Sequence, residues 1–286
     1  MLITEDGALT GAISGGCLEG DALRKASLVI IQQLPMLVTY DTSDEEDAVI
    51  GMGLGCNGII QVLIEPVDAG MTNNPIVLLK MVAESKQPAV LVTLFSLANK
   101  KNPQSGTCLL FTGHETVTNK NIQLGDELQV NAAKVLKNRQ SSFHNYNRQE
   151  LQVTAFTEFI QQAISLIIVG AGNDVFTLVS MAAVLGWKTT IIDGRPTYAK
   201  KERFPASCTV LLARPEKVVS EVKFTDRTAV LLMTHNYNYD LAMLETLANK
   251  DTPYIGMLGP KKKLVRMLAE MHDRGNVLIA AQYTDG

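Results

Sequence analysis

The chain has 286 residues, 46% of them apolar and 19% charged, with a formal net charge of −3. That length favours two domains with buried cores, and the absence of a basic excess excludes the usual electrostatic footprint of nucleic-acid binding. No apolar run approaches the roughly 20 residues of a membrane helix, residues 1–10 lack a secretory layout, and four scattered cysteines without a Cys-x-x-Cys pair suit a reducing cytoplasm.

In chain order, residues 1–4 read as a strand running into the turn Glu5-Asp6-Gly7, with nothing before it to pair with. The run Gly11-Ala12-Ile13-Ser14-Gly15-Gly16-Cys17-Leu18-Glu19-Gly20-Asp21 comes next. Gly15 and Gly16 let the backbone turn sharply and approach a ligand. A helix over 18–34 follows, so Cys17 falls at its N-terminus, where the dipole favours the thiolate. Glu19 and Asp21 occupy its first turn. A plainer account stands beside this one: Ser14 caps the helix, the glycines form a turn and Cys17 is a small buried residue.

Residues 36–41 and 59–65 read as strands joined by a loop over 42–58. The acidic part of that loop, 44–47, is a solvated face. Its end, Gly51-Met52-Gly53-Leu54-Gly55-Cys56-Asn57-Gly58, packs glycines around Cys56 and offers backbone amides to an anion. Glu65-Pro66 closes the second strand and can anchor the loop. A helix is expected over 75–85, strands over 89–97 and 107–111, and a helix over 126–137. The polar stretch 139–150 reads as a loop, and 151–156 alternates like an edge strand. The domain boundary falls near 161–163, giving domains 1–162 and 163–286.

The second domain alternates strand and helix. A strand over 165–169 ends in Gly170-Ala171-Gly172-Asn173-Asp174, and a helix begins directly after it. That order lets amides at a helix start receive a phosphate. Asp193 closes the next strand, 188–193, about twenty residues on, where an acid can bond a ribose hydroxyl. Val175 stands where a third glycine is usual. Further strands are expected over 209–213, 229–234 and 252–257, with helices over 238–249 and 261–274. The fold class is therefore α/β: an N-terminal mixed domain, then a Rossmann-like doubly wound parallel sheet with helices on both faces. Four loops, 170–174, 193–196, 234–237 and 256–260, converge on its carboxyl edge. Arg195 can meet a phosphate there. His235 can serve as donor, as acid/base, or simply bond a helix end, and Asp240 can cap the next helix. Lys261-Lys262-Lys263 crowd a helix N-terminus, where cations oppose the dipole; either an anion is bound there or the turn is solvated. His114, His144 and His272 show no partner spacing. The chain ends at 280–286, soon after a helix and one strand short of a six-stranded Rossmann sheet, and reads as part of a longer protein.

Together these segments resemble the xanthine dehydrogenase accessory family of the XdhC/CoxI type. The resemblance rests on Gly15-Gly16-Cys17-Leu18-Glu19-Gly20-Asp21, Gly55-Cys56-Asn57-Gly58 with Glu65-Pro66, Gly170-Ala171-Gly172-Asn173-Asp174, and Asp193-Gly194-Arg195-Pro196 with Glu202-Arg203-Phe204-Pro205. It continues through Thr234-His235-Asn236-Tyr237 and Tyr254-Ile255-Gly256-Met257-Leu258-Gly259. Asn173 stands where the family usually has His, and Asn57 where Gly is common; the family's N-terminal strand and much of its C-terminal tail are not seen in this sequence. The resemblance implies an accessory domain beside a Rossmann domain, and a maturation factor rather than a turnover enzyme. It further implies binding of the molybdenum cofactor (molybdopterin), help with its sulfuration, and delivery to a xanthine dehydrogenase-like molybdenum hydroxylase. A homodimer and a cysteine desulfurase partner belong to the same expectation. Carried over, Cys17 and Cys56 contact the molybdenum or its dithiolene, beside Gly15, Gly16 and Glu19. Gly170, Gly172, Asn173, Asp193, Arg195, His235 and Lys261 meet a phosphate-bearing pterin, NAD(P) or another nucleotide. The rival reading is an NAD(P)-dependent oxidoreductase with His235 as proton donor; a non-catalytic nucleotide sensor is a third.

Overall fold

The computed structural model describes residues 1–14, 16, 18–41, 58–85, 87–119, 124–148, 151–248, 250 and 252–276. Its contacts divide the chain into two compact units, Met1–Gln162 and Ala163–Gly286.

The first unit opens with a hairpin, β1 (Leu2–Ile3) against β2 (Leu9–Thr10), in the register Leu2↔Thr10. The expected unpaired first strand thus finds its partner downstream, because Gly7 at φ 82° closes the turn and donates its N–H to the Thr4 carbonyl at 2.9 Å. Helix α1 (Glu19–Gln32) buries Ala22, Ala26 and Val29, positions spaced four and three apart on one face. Strands β3 (Met36–Asp41) and β4 (Ile59–Ile64) pair antiparallel from Met36↔Ile64 to Asp41↔Ile59. Helix α2 (Pro75–Glu84) starts where the Asn74 side chain accepts the Val77 N–H at 3.0 Å and Pro75 takes a position that needs no N–H.

Strands β5 (Ala89–Phe95), β6 (Gly106–Phe111), β7 (Thr116–Thr118), β8 (Ser142–Arg148) and β9 (Leu151–Ile160) form an antiparallel sheet in the order β7-β6-β5-β9-β8. Helix α3 (Gly125–Asn138) lays Leu128, Ala132 and Val135 on Val90, Val92 and Leu109, while Leu78 of α2 packs with Leu91 and Leu110. Two expectations are corrected. The stretch 139–150 contains strand β8, and 151–156 belongs to the longer β9, which lies inside the sheet between β5 and β8. Strand β8 reads as a loop because it is the polar edge: Phe143 is 67% exposed, and Tyr146 is its residue in the buried core.

The second unit is a parallel sheet of β10 (Ser165–Val169), β11 (Lys188–Asp193), β12 (Thr209–Leu212), β13 (Thr228–Leu232) and β14 (Tyr254–Met257), ordered β12-β11-β10-β13-β14. Between them run α4 (Val175–Val184), α5 (Pro215–Glu221), α6 (Tyr237–Leu247) and α7 (Lys261–Asp273). Central β10 is apolar without alternation because both faces are covered. Ile167 and Val169 join the cluster under α6 and α7; Leu166 and Ile168 join the one under α4. The order reverses beside β10, which places a crevice at the carboxyl ends of β10 and β13. Helix α5, seven residues long, has too few turns to announce itself by periodicity.

Candidate functional site

In the first unit the chemistry gathers at the start of α1. Leu18 precedes the helix and contributes no side-chain cap. The Glu19 carboxylate reaches backwards instead. Its Oε1 accepts the N–H groups of Ile13 and Ser14, each at 2.9 Å. Its Oε2 accepts the N–H groups of Gly16 at 2.9 Å and Leu18 at 3.1 Å, and the Ser14 hydroxyl at 3.2 Å. Ser14 Oγ in turn accepts the Leu18 N–H at 2.9 Å. The turn is therefore wrapped around an internal anion, and the amides of Ser14 and Ile13 hold the Glu19 pKa down to about 2. Glu19 is the organiser of this turn. Gly16, at φ 114°, adopts within it a positive φ that side-chain-bearing residues rarely take.

Gly15, Cys17 and Cys56, with the rest of the loop over 42–57, lie outside the described residues; Ser14, Gly16, Leu18 and the chain from Gly58 lie within them. Leu18, 1% exposed, packs in one apolar cluster with Val38 and Tyr40, bordered by Ile13 and Ile60. Asp21 pairs with Lys25 at 2.6 Å, and the Lys25 ammonium stands 4.8 Å from the centre of the Tyr40 ring. Burial, with Asp21 beside it, pushes the Tyr40 phenol up. The start of α1, the end of β3 and the start of β4 are thus drawn together. Glu65, at the end of β4, is anchored on β6: it accepts the Thr107 N–H, and the Thr107 hydroxyl at 2.7 Å. A cavity of about 880 Å³ lies between the N-terminal hairpin, the Ala22/Ala26/Val29 face of α1, β4 and α2, with Ile13 and Glu65 on its wall.

In the second unit the glycine turn follows β10. Gly170 has φ 118° and donates its N–H to the Ile192 carbonyl at 2.7 Å. A side chain there would place its Cβ 2.5 Å from the Met233 carbonyl oxygen, so the turn nests against the neighbouring strand end only as glycine. Gly172 accepts the Val175 N–H at 3.4 Å. Val175, in the third glycine's place, is fully buried and packs with Leu166, Ile168 and Ala171.

Asp193 is 2% exposed. Its Oδ1 accepts the Arg195 backbone N–H and Nε–H, both at 2.9 Å; its Oδ2 accepts the Ala171 N–H at 2.8 Å and Arg195 Nη2 at 2.7 Å. Burial works to raise its pKa, but Arg195 and the two amides prevail and hold the carboxylate below its usual range. Arg195 lies 3.9 Å over the Tyr198 ring. Arg203, which sequence reasoning left without a role, braces the turn: Nη1 donates to the carbonyls of Ala171 (2.7 Å) and Tyr198 (2.8 Å), and Nη2 to Asn173 Oδ1 (3.0 Å). Its signal was the Glu202-Arg203-Phe204-Pro205 segment, read only as part of a resemblance.

His235 stands at φ 57°, and its Nε2 lies 3.0 Å from Asp174 Oδ2. Gly170, Gly172, Asn173, Asp193, Arg195 and His235 therefore share one hydrogen-bonded region. Asn236, not Asp240, caps α6, accepting the Tyr239 N–H at 3.1 Å. Asp240 is fully buried, accepting from Thr234 Oγ1 at 2.5 Å and Lys263 Nζ at 2.7 Å. Part of the basic run at α7 thus serves an internal acid, while Lys261 is the first residue of that helix. Among the described residues no group of three or more His, Cys, Asp or Glu is placed to hold a metal ion, and no helix is long and apolar enough to cross a membrane.

A glycine turn heading the central strand of a five-stranded parallel sheet, with an acid at the end of the next strand, defines a Rossmann-type domain. Residues 166–282 match the family model described as the XdhC Rossmann domain, and residues 1–41 match that of the XdhC and CoxI family. The chain belongs to the XdhC and CoxI family. It is 27% identical over 272 residues to a probable xanthine dehydrogenase subunit of Bacillus subtilis (strain 168), covering 95% of this chain and 77% of that protein. Its fold is similar to the crystal structure of a xanthine dehydrogenase from Bacillus halodurans, with a TM-score of 0.75 and 29% identity over 99% of this chain and 77% of that one.

Proposed function

We propose that this chain is a molybdenum-cofactor chaperone of the cytoplasm. It receives the cofactor, assists sulfuration of its molybdenum and passes it to a xanthine dehydrogenase-like molybdenum hydroxylase. A cysteine desulfurase is the sulfur donor's natural class, and a second copy of the chain is its homodimer partner. Membership of the XdhC and CoxI family and the two xanthine dehydrogenase relatives support the target.

The observation that carries the reading is that described residues near the two cysteines in sequence, Leu18 and Ile60, pack in one apolar cluster. Cys17 adjoins Leu18, and Cys56 lies four residues before Ile60. A chain spans at most about 3.6 Å per residue, so these tethers, one residue for Cys17 and four for Cys56, allow both thiols to approach one metal centre. Thiolates are the soft donors that such a centre and its dithiolene favour. Cargo held in this way contacts Cys17 and Cys56, with Gly15 and Gly16 allowing close approach. In the second unit, the turn of Gly170 and Gly172, with Asn173, Arg195 and His235 around it, is suited to a phosphate-bearing pterin or nucleotide, to which Lys261 at the start of α7 adds a cation of the same unit.

Cofactor loading tests the reading. The protein is mixed anaerobically with released molybdenum cofactor, desalted, and assayed for molybdenum and for oxidised pterin fluorescence. Near-stoichiometric retention is expected, falling at least about tenfold in Cys17→Ala and in Cys56→Ala, the loss of one strong ligand. A folded wild-type chain that retains no molybdenum overturns the proposal.

A further inference from the structure

The acid closing the second strand of the parallel sheet has no acceptor site left for a sugar. A carboxylate offers about four lone-pair positions, and Asp193 receives Ala171 N–H and three donors of Arg195. A ribose hydroxyl needs an acceptor to bond as donor, and here that acceptor is spent. What faces outward is the partner. Arg195 commits Nε–H and one Nη2–H to Asp193, so three of the five guanidinium N–H groups carry no acceptor among the described residues.

That guanidinium is held in advance of any ligand. One edge is chelated by a buried carboxylate, one face rests on the Tyr198 ring at 3.9 Å, and its side chain is 48% exposed. Little rotamer freedom remains to be lost on binding. It also sits against the glycine turn, because Arg195 Nη2 and the Ala171 N–H meet on the same oxygen, Asp193 Oδ2. Arg203 shares the Tyr198 ring at 5.3 Å and bonds only neutral oxygens, of Ala171, Tyr198 and Asn173. Asp193 offsets one guanidinium, so the pair retains one positive charge; Asp174, the acid on the turn, faces His235.

We propose that this edge reads a phosphate monoester where a dinucleotide-binding sheet reads a ribose diol, with Arg195 as receptor and Asp193 and Tyr198 as its holders. The proposal rests on the reading of the edge as the site of a phosphate-bearing ligand. A group that only donates, beside a saturated acid, selects oxygens that only accept. The phosphate can be the 2′-phosphate of a nucleotide or the phosphate of the pterin.

Titration calorimetry on the full chain separates these sources. One arm compares adenosine 2′,5′-bisphosphate with adenosine 5′-monophosphate, and NADPH with NADH. The other measures retention of released molybdenum cofactor. In the nucleotide arm the 2′-phosphorylated forms are expected to bind about tenfold tighter or more, the worth of a charge-assisted hydrogen bond. Arg195→Lys then reduces the preference to within about threefold, since an ammonium cannot chelate Asp193 and the ligand in one plane. If the nucleotides do not bind and Arg195→Lys lowers cofactor retention instead, the phosphate is the pterin's and the proposal stands. Tyr198→Ala leaves the Asp193 pair intact and lowers the same preference or retention about two- to fivefold through the lost stacking, which guards against a misfolded lysine variant. Equal binding of diol and phosphate forms overturns the proposal, as does any preference or retention indifferent to both substitutions. A 2′-phosphate preference without cofactor retention sinks the chaperone reading alone.

Discussion

Glu19 and Asp193 meet the same local problem in the two units: a glycine turn exposes amides, and a carboxylate from the chain itself gathers them. For Glu19 the consequence is a pH dependence of known sign. Its pKa is about 2 in the folded chain against 4.5 ordinarily, so its stabilisation is complete above 4.5 and is lost as pH falls through 2. Wild type is therefore expected to exceed Glu19→Gln in stability at pH 7, with a gap that narrows from pH 4.5 downward. Urea titrations at pH 7, 4 and 3 read this directly, and a gap independent of pH would count against the ring of amides. Both acids stand out in the sequence by position, one in a first helical turn and one at a strand end. Position alone does not say that each bends back onto its own backbone, and so both read as ligand contacts. Arg203 was obscure for the same reason: its acceptors at Ala171 and Asn173 lie about thirty residues away in sequence.

At the scale of elements, the parallel sheet was legible because strands buried on both faces are short unbroken apolar runs, as in Leu166–Val169. Strand β8 was not, since an edge with one wet face can carry Ser, His and Asn without cost. Its neighbour β9 then looked like the edge it is not. The turn between β10 and α4 gives the sharpest test at this scale. Gly170→Ala combines a positive φ with a collision against the Met233 carbonyl, and is expected to cost about 2–4 kcal/mol. Gly186, at φ 70° with open space around it, is the control, where alanine costs about 1–2 kcal/mol from backbone strain alone. Equal losses in thermal unfolding would mean that the close approach at Gly170 contributes nothing.

At the scale of the molecule, each unit carries its own cores: Ile168 with Val175, Val179 and Ile191 in the second, Leu109 with Leu128 and Ala132 in the first. The α/β character of the whole followed from the alternation of periods along the second half, whereas the antiparallel first half offered only separate strands with no order implied. Ile168→Ala removes a fully buried side chain and is expected to cost about 2–5 kcal/mol. Calorimetry should resolve two transitions, of which this substitution lowers one. A single transition displaced as a whole would show that the two cores melt together.

The amides at the head of α1 are already neutralised by a carboxylate that cannot diffuse away. A bare loop of this kind would fill with whatever small anion its surroundings supply, and its occupancy would drift with ionic strength. Here the described amides of Ile13, Ser14, Gly16 and Leu18 are already engaged, so chloride, sulfate and free phosphate must displace a tethered carboxylate to reach any of them.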